Sequence, residues 1–243
     1  MEHAISSAQC VIFDFDGPLC HLFARRTAAS VAGRLRETYA TDADGSAGTW
    51  PETTDPLRLL TAAFDDPTLL SQQSPREMEQ SLTLEEVAAA KLAFPTGYAD
   101  ALVRTLCATG RTVAVATDNS ADAVARYLAG RSLLEAFSPG MRPGDGTPAQ
   151  VCGRVCDGAG PLRLKPDPDC VLRALESTGA DAAKTVMIGD SAQDVAAARA
   201  AGVGFVGYAR NERKERELRG AGAEWVVASL RDVLLTVDPL AHV

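Results

Sequence analysis

The chain has 243 residues, a formal net charge of -8, 46% hydrophobic residues and 23% charged residues. This length supports one large core or a core with a smaller companion domain, and the balance is that of a folded globular chain rather than a disordered one. The acidic charge argues against a nucleic-acid backbone as the main partner, and no run reaches the roughly 18 apolar residues of a membrane span. The six cysteines, Cys10, Cys20, Cys107, Cys152, Cys156 and Cys170, lack paired metal-ligand spacing. They read as reduced thiols of a cytoplasmic protein, and the first residues lack the basic and apolar regions of a signal peptide.

In chain order, the first element is a strand. Val11-Ile12-Phe13 runs into Asp14-Phe15-Asp16-Gly17-Pro18, so an apolar strand stops at two acids and a glycine lets the chain turn away. Alternation along a strand sends Asp14 and Asp16 to one face at its carboxyl end, the edge where open α/β sheets bind ligands. Two anions so close repel unless a cation or a shared proton offsets them.

Residues 22–39 and 82–92 have helical spacing, the second helix being entered through Thr83 with Glu85 and Glu86 in its first turn. Between them lie a polar stretch at 41–56 and a helical patch at 57–64, with no strand-like run to interrupt the region. Pro95-Thr96-Gly97 marks the return to strands and helices in alternation. Helices are expected at 98–109, 120–128, 167–177, 194–201 and 212–218; strands at 112–116, 151–155, 185–189, 203–208 and 225–227; and a long Pro/Gly-rich loop at 138–150. The pattern predicts a doubly wound, Rossmann-like parallel α/β core with a mostly helical cap inserted into it. The expected boundaries are residues 1–20 and 95–243 for the core and 21–94 for the cap.

Polar residues stand where three apolar strands stop: Asp14 and Asp16, then Thr117, then Asp190 with Asp194 just beyond, while Lys165 sits in the Pro-bounded loop Leu164-Lys165-Pro166-Asp167-Pro168. This ordered set resembles the four motifs of the haloacid dehalogenase-like (HAD) hydrolase superfamily. An inserted helical cap at this position is similar to that of its phosphoglycolate-phosphatase-like branch. The resemblance covers the core before Cys20 and from Pro95 onward.

By that resemblance Asp14 is the nucleophile that accepts a phosphoryl group. Asp16 is the acid for the leaving alcohol and then the base for water, its backbone carbonyl also facing the metal. Asp14, Asp16 and Asp190 would hold Mg²⁺, Lys165 would sit beside the transferring group, and Thr117 would hold phosphate oxygens. Asp194 would orient Lys165 or a water on the metal. Substrate contacts are expected from Gly17, Asp118, Asn119, Arg25 and Arg26, although the arginine pair also reads as a solvated helix face.

The implied activity is Mg²⁺-dependent hydrolysis of a small phosphorylated metabolite through an aspartyl-phosphate, with no nucleic acid or membrane as partner. A phosphomutase of the β-phosphoglucomutase kind and a binding protein that has lost turnover are the alternatives. The sequence leaves the oligomeric state open. Asp16 disfavours carbon–halogen hydrolysis, because dehalogenases of this family have no alcohol to protonate. Two positions depart from the family pattern. Pro18 replaces a common threonine and removes a hydroxyl and an N–H, and Asp118 replaces a common asparagine and is tolerable beside phosphate if it turns away to cap the next helix. The Gly202-Val203-Gly204-Phe205-Val206-Gly207 run mimics a dinucleotide fingerprint, but it leaves a helix and enters a strand, the wrong context for one. Residues 210–219 read as an exposed charged helix.

Overall fold

A computed structural model describes residues 2–39, 50–70, 73–142, 144–156 and 161–241. Residues 41–49 of the expected polar stretch and Pro143 of the expected loop lie outside the described residues. The strands are β1 (Cys10–Phe13), β2 (Cys20–His21), β3 (Phe94–Pro95), β4 (Thr112–Ala116), β5 (Val151–Cys152), β6 (Thr185–Gly189), β7 (Gly204–Tyr208) and β8 (Trp225–Val227). The helices are α1 (Glu2–Ser7), α2 (Ala28–Tyr39), α3 (Pro56–Asp65), α4 (Pro75–Ala90), α5 (Ala99–Ala108), α6 (Ala121–Gly130), α7 (Leu134–Phe137), α8 (Asp169–Thr178), α9 (Ala192–Ala200), α10 (Glu212–Gly220) and α11 (Leu230–Val237).

Six strands form one parallel sheet in the order β5-β4-β1-β6-β7-β8. The chain leaves β1 for β4 and β5 on one side and returns to β6 on the other, so the winding reverses at β1. That reversal opens a crevice at the carboxyl ends of β4, β1 and β6. Both faces of the sheet are covered, as a sheet built from crossover helices requires. Val11, Phe13, Val113 and Val115 pack with α5, α6 and α11, whereas Cys10, Ile12, Ala114 and Ala116 pack with α8 and α9. The second face is rich in alanine, and small side chains let α8 and α9 lie close to the sheet. No described helix is long and apolar enough to cross a membrane, and the six cysteines form no disulfide.

Helices α2, α3 and α4 have an apolar cluster of their own, with Val31, Leu35, Leu59, Leu60, Met78 and Leu82 fully or almost fully buried. The chain enters and leaves this helical cap side by side, because β2 and β3 pair antiparallel, Cys20 opposite Pro95 and His21 opposite Phe94. The sequence pattern missed this two-residue ribbon: strands so short have no periodicity to read.

Three boundaries differ from expectation by more than two residues. The first cap helix starts at Ala28, after turns through residues 22–26. Helix α4 starts at Pro75 rather than near Thr83, because Ser74 and Glu77 cap each other's backbone N–H and Pro75 occupies the first helical position. The fifth strand spans two residues, not five.

Candidate active site

Asp14 continues β1 beyond its last strand residue, its N–H donating to the Ile188 carbonyl at 2.9 Å. The next turn is tight: Gly17 N–H donates to Cys20 O at 2.7 Å and Cys20 N–H to Phe15 O at 3.1 Å. Gly17 adopts φ +127°, a backbone state that side chains disfavour. Thr96, at the cap exit, donates its hydroxyl to the Gly17 carbonyl and ties the turn down.

Lys165 is buried, with its ammonium 2.8 Å from Asp14 Oδ1, 2.5 Å from Asp194 Oδ1 and 3.3 Å from the Ala116 carbonyl. Asp194 is fully buried at the start of α9, where its other oxygen accepts from the backbone N–H groups of Asp190 and Ser191 and from the Ser191 hydroxyl. Ser191 Oγ accepts in return from Asp194 N, completing a second capping box. Asp194 therefore grips Lys165 with one oxygen and fastens the Asp190 turn with the other.

The electrostatics follow from burial. Asp14 is pushed up to about 8 by removal from water; Lys165 opposes this, while Asp194 and Asp190 add to it. Asp16 rises to about 6, chiefly through burial, although its Oδ1 accepts from Leu22 N at 2.9 Å. Burial works against the Lys165 charge, but Asp14, Asp194 and Asp118 outweigh it and hold the ammonium protonated. A carboxylate cluster in this state calls for a further cation.

The donor set suits a hard divalent ion. Carboxylate oxygens of Asp14, Asp190 and Asp194 lie within 4.8 Å of one another. Hydrogen bonds engage both oxygens of Asp194, whereas Lys165 engages only Oδ1 of Asp14. Asp14 and Asp190 are thus the better-placed ligands.

The neighbouring loop brings Thr117, Asp118 and Asn119 to the same cavity, about 380 Å³ in volume and bounded also by Asp16, Lys165, Asp190 and the cap. Thr117 Oγ1 lies 3.2 Å from Asn119 N and 3.3 Å from its side-chain oxygen. Asp118 does not cap α6, as its departure from the pattern required; Ser120 does, accepting from Ala123 N at 3.3 Å. Asp118 turns instead to the Lys165 backbone, accepting its N–H at 2.9 Å, and so fixes the lysine loop.

Arg25 and Arg26, expected to meet substrate, are engaged elsewhere. Arg26 and Arg34 clasp Glu85, and Arg25 lies 4.8 Å over the Phe94 ring. Gly17 backs Asp190 rather than lining the cavity.

Four features escaped the sequence reading. Glu86, fully buried on α4, accepts from Asn119 Nδ2 and Ser120 N and from both Arg154 terminal nitrogens, all at 2.9 Å. Arg154 also donates to the Asp118 carbonyl at 3.0 Å, so this buried network frames the whole 117–120 turn. Lys214, in the run read as exposed, reaches the Asp190 carbonyl at 2.9 Å and its carboxylate at 3.3 Å. Thr54 and Asp55 on the cap face the cavity. The Ser74 and Ser191 capping patterns carry a local signal that the expected helix starts overlooked, whereas these four features depend on residues far apart in sequence.

The family model of the haloacid dehalogenase-like hydrolases matches residues 8–202, and the chain belongs to that family. No curated protein matches it significantly. Among solved structures, CbbY from Rhodobacter sphaeroides in complex with phosphate aligns with a TM-score of 0.65 and 18% identity, covering 95% of this chain and 99% of CbbY. A predicted phosphatase from Clostridium acetobutylicum gives 0.66 and 20%, covering 96% and 99%. A predicted phosphoglycolate phosphatase from Haemophilus somnus gives 0.64 and 17%, covering 94% and 97%. At these identities the likeness concerns the fold: a parallel α/β core with a helical cap.

Proposed function

We propose that the protein is a Mg²⁺-dependent phosphatase of a small phosphate monoester, with residues 21–94 as its cap and 1–20 with 95–243 as its catalytic core. The observation that carries this reading is the buried Lys165 ammonium, 2.8 Å from Asp14 and 2.5 Å from Asp194. It gives a carboxyl group whose ionised, nucleophilic form Lys165 favours and a bound divalent ion would favour further, a fixed cation for the phosphoryl oxygens and an acid that positions the cation.

Asp14 attacks phosphorus, an O–P bond to the carboxylate forms, and the ester O–P bond breaks. Asp16 gives its proton to the departing alkoxide; a rise to about 6 keeps part of it protonated near neutral pH. Water then attacks the aspartyl-phosphate phosphorus, Asp16 takes the water proton, and Asp14 is released as carboxylate. Lys165 and the Thr117 hydroxyl hold phosphoryl oxygens throughout. Asp14, Asp190 and the Asp16 backbone carbonyl would hold Mg²⁺, which when bound offsets the charge that nucleophile and phosphate bring together. The cap excludes bulk water from the cavity.

The test is phosphate release across a panel of phosphorylated metabolites with Mg²⁺, with Asp14→Asn as the blank. The isosteric amide keeps the shape and removes the attacking anion, so turnover should fall about a thousandfold or more with an unchanged circular dichroism spectrum. Turnover near wild type in Asp14→Asn would refute the assignment. Isomerisation of a sugar 1-phosphate without net phosphate release would make the enzyme a mutase.

A further inference from the structure

We infer that the substrate carries one phosphate and no second anionic group: the cavity takes the monophosphate of an uncharged, hydroxyl-bearing alcohol and rejects bisphosphates and phosphorylated carboxylates. This rests on reading the cavity as a phosphatase site, and it names the substrate class.

The lining carries the argument. Among the described residues, five carboxylates, those of Asp14, Asp16, Asp55, Asp118 and Asp190, face the cavity together with a single cationic side chain, Lys165. That ammonium already lies between Asp14 and Asp194. One divalent ion and one lysine suffice for one phosphate but leave the rest of the wall net negative. A second anion on the leaving group would face Asp55 and Asp118 with only the solvent-exposed Arg58, 4.0 Å from Asp55, near enough to meet it, and in a partly dehydrated cleft the repulsion is larger than in water.

The neighbouring cations among the described residues are paired with other groups or exposed to solvent. Arg154 is enclosed by Glu79 and Glu86. Arg26 and Arg34 are bound to Glu85. Lys214 contacts the backbone carbonyl and carboxylate of Asp190 without lining the cavity. Arg210 does not line it either; its charge acts on Asp16 from an exposed position, through solvent. Arg58 borders an adjoining cleft of about 490 Å³ that shares Asp55, Asp118 and Lys165 with the site. Its side chain is 76% exposed and 4.0 Å from the Asp55 carboxylate, so water and that acid screen it. The residues outside the structural description contain no lysine or arginine, so they bring no further guanidinium or alkylammonium side chain to the site.

The roof contributes Phe23, Ala28, Pro56 and Leu57 beside the Thr54 hydroxyl and the Asp55 carboxylate. Such a surface packs a carbon skeleton and accepts hydrogen bonds from its hydroxyl groups. Specificity then lies in what the wall repels as much as in what it binds.

The experiment compares matched pairs under the same Mg²⁺ concentration: glycerol 3-phosphate against 3-phosphoglycerate, and a pentose 5-phosphate against its 1,5-bisphosphate. They are measured beside the best substrate of the metabolite panel. The best substrate should bear no anion besides its phosphate, and kcat/KM should be at least tenfold higher for the less charged member of a pair that turns over. Rising salt should shrink the ratio. Asp55→Asn should shrink it too, because asparagine keeps the helix-capping bond to Leu57 N while removing the charge. A best substrate with a carboxylate or second phosphate, or a ratio insensitive to both salt and Asp55→Asn, overturns the inference and leaves the phosphatase reading standing. No release from any substrate, with wild type equal to Asp14→Asn, overturns the phosphatase reading, and the inference falls with it.

Discussion

Gly17 shows how little room the site leaves at the level of one residue. A Cβ there would stand 2.6 Å from Asp190 Cγ, and φ is +127°, so Gly17→Ala must both strain the backbone and push Asp190 aside. The expected cost is about 1–3 kcal/mol of stability, together with loss of the stabilisation that Mg²⁺ should confer on the wild type if it binds at the proposed site. Thermal melts of both proteins with and without Mg²⁺ check this; a Gly17→Ala variant that keeps the full Mg²⁺ shift would show that Asp190 has not moved. Asp118 is a comparable case in which a departure from the family pattern becomes structural, since its carboxylate holds the Lys165 N–H at 2.9 Å. Its pKa is raised chiefly by burial, against the pull of Lys165.

Among the elements, α4 joins cap to core. Its buried Glu86 and the buried Arg154 are paired at 2.9 Å, and removing one partner of such a pair leaves the other charge stranded. Glu86→Gln should therefore cost about 3–5 kcal/mol in denaturant unfolding; a loss below about 1 kcal/mol would put the pair among weak surface bridges.

The neighbouring Glu85 makes a pH prediction. Burial raises its carboxyl, but hydrogen bonds from Arg26 and Arg34 outweigh that and lower it to about 2, against an ordinary value of 4.5. A depressed carboxyl stabilises above its unfolded value and loses that contribution as pH falls through the folded one. The Arg26 and Arg34 clasp should fade between about pH 4.5 and 2. After screening, about 1–2 kcal/mol is at stake. Glu85→Gln should show a smaller acid-induced loss of stability over that window than wild type, and identical acid profiles would refute the clasp.

For the whole molecule, the sheet order decides the chemistry. β1 lies between β4 and β6, so the ends that carry Asp14, Thr117 and Asp190 meet at one crevice although they lie far apart in sequence. Gathering Asp14, Asp190 and Asp194 around one lysine leaves the folded state short of positive charge, and a bound divalent ion should relieve it. Mg²⁺ at a hundred times its Kd should stabilise the protein by about 2.7 kcal/mol, an effect reversed by chelator and absent in Asp190→Asn. An unchanged melting temperature across a Mg²⁺ titration would sink the proposed ion site.

Much of this was legible in the sequence. Buried parallel strands are short apolar runs with polar ends, and that local property marked β1, β4, β6 and β7, the acids at the tips of β1 and β6, Thr117 at the tip of β4, Lys165 in its Pro-bounded loop and the helical insertion. Local reading failed where the deciding partner is remote. The Arg26 bond to Glu85, the Lys214 contact with Asp190 and the Arg154 network around Asn119 are pairings across tens of residues. A charged side chain looks the same in sequence whether it faces solvent or a buried acid. Residue order alone thus determined the alternation, the motifs and their spacing. The tertiary structure alone decided which charges neutralise one another and which are left facing the cavity, because electrostatic energy depends on separation and burial in space and not on distance along the chain.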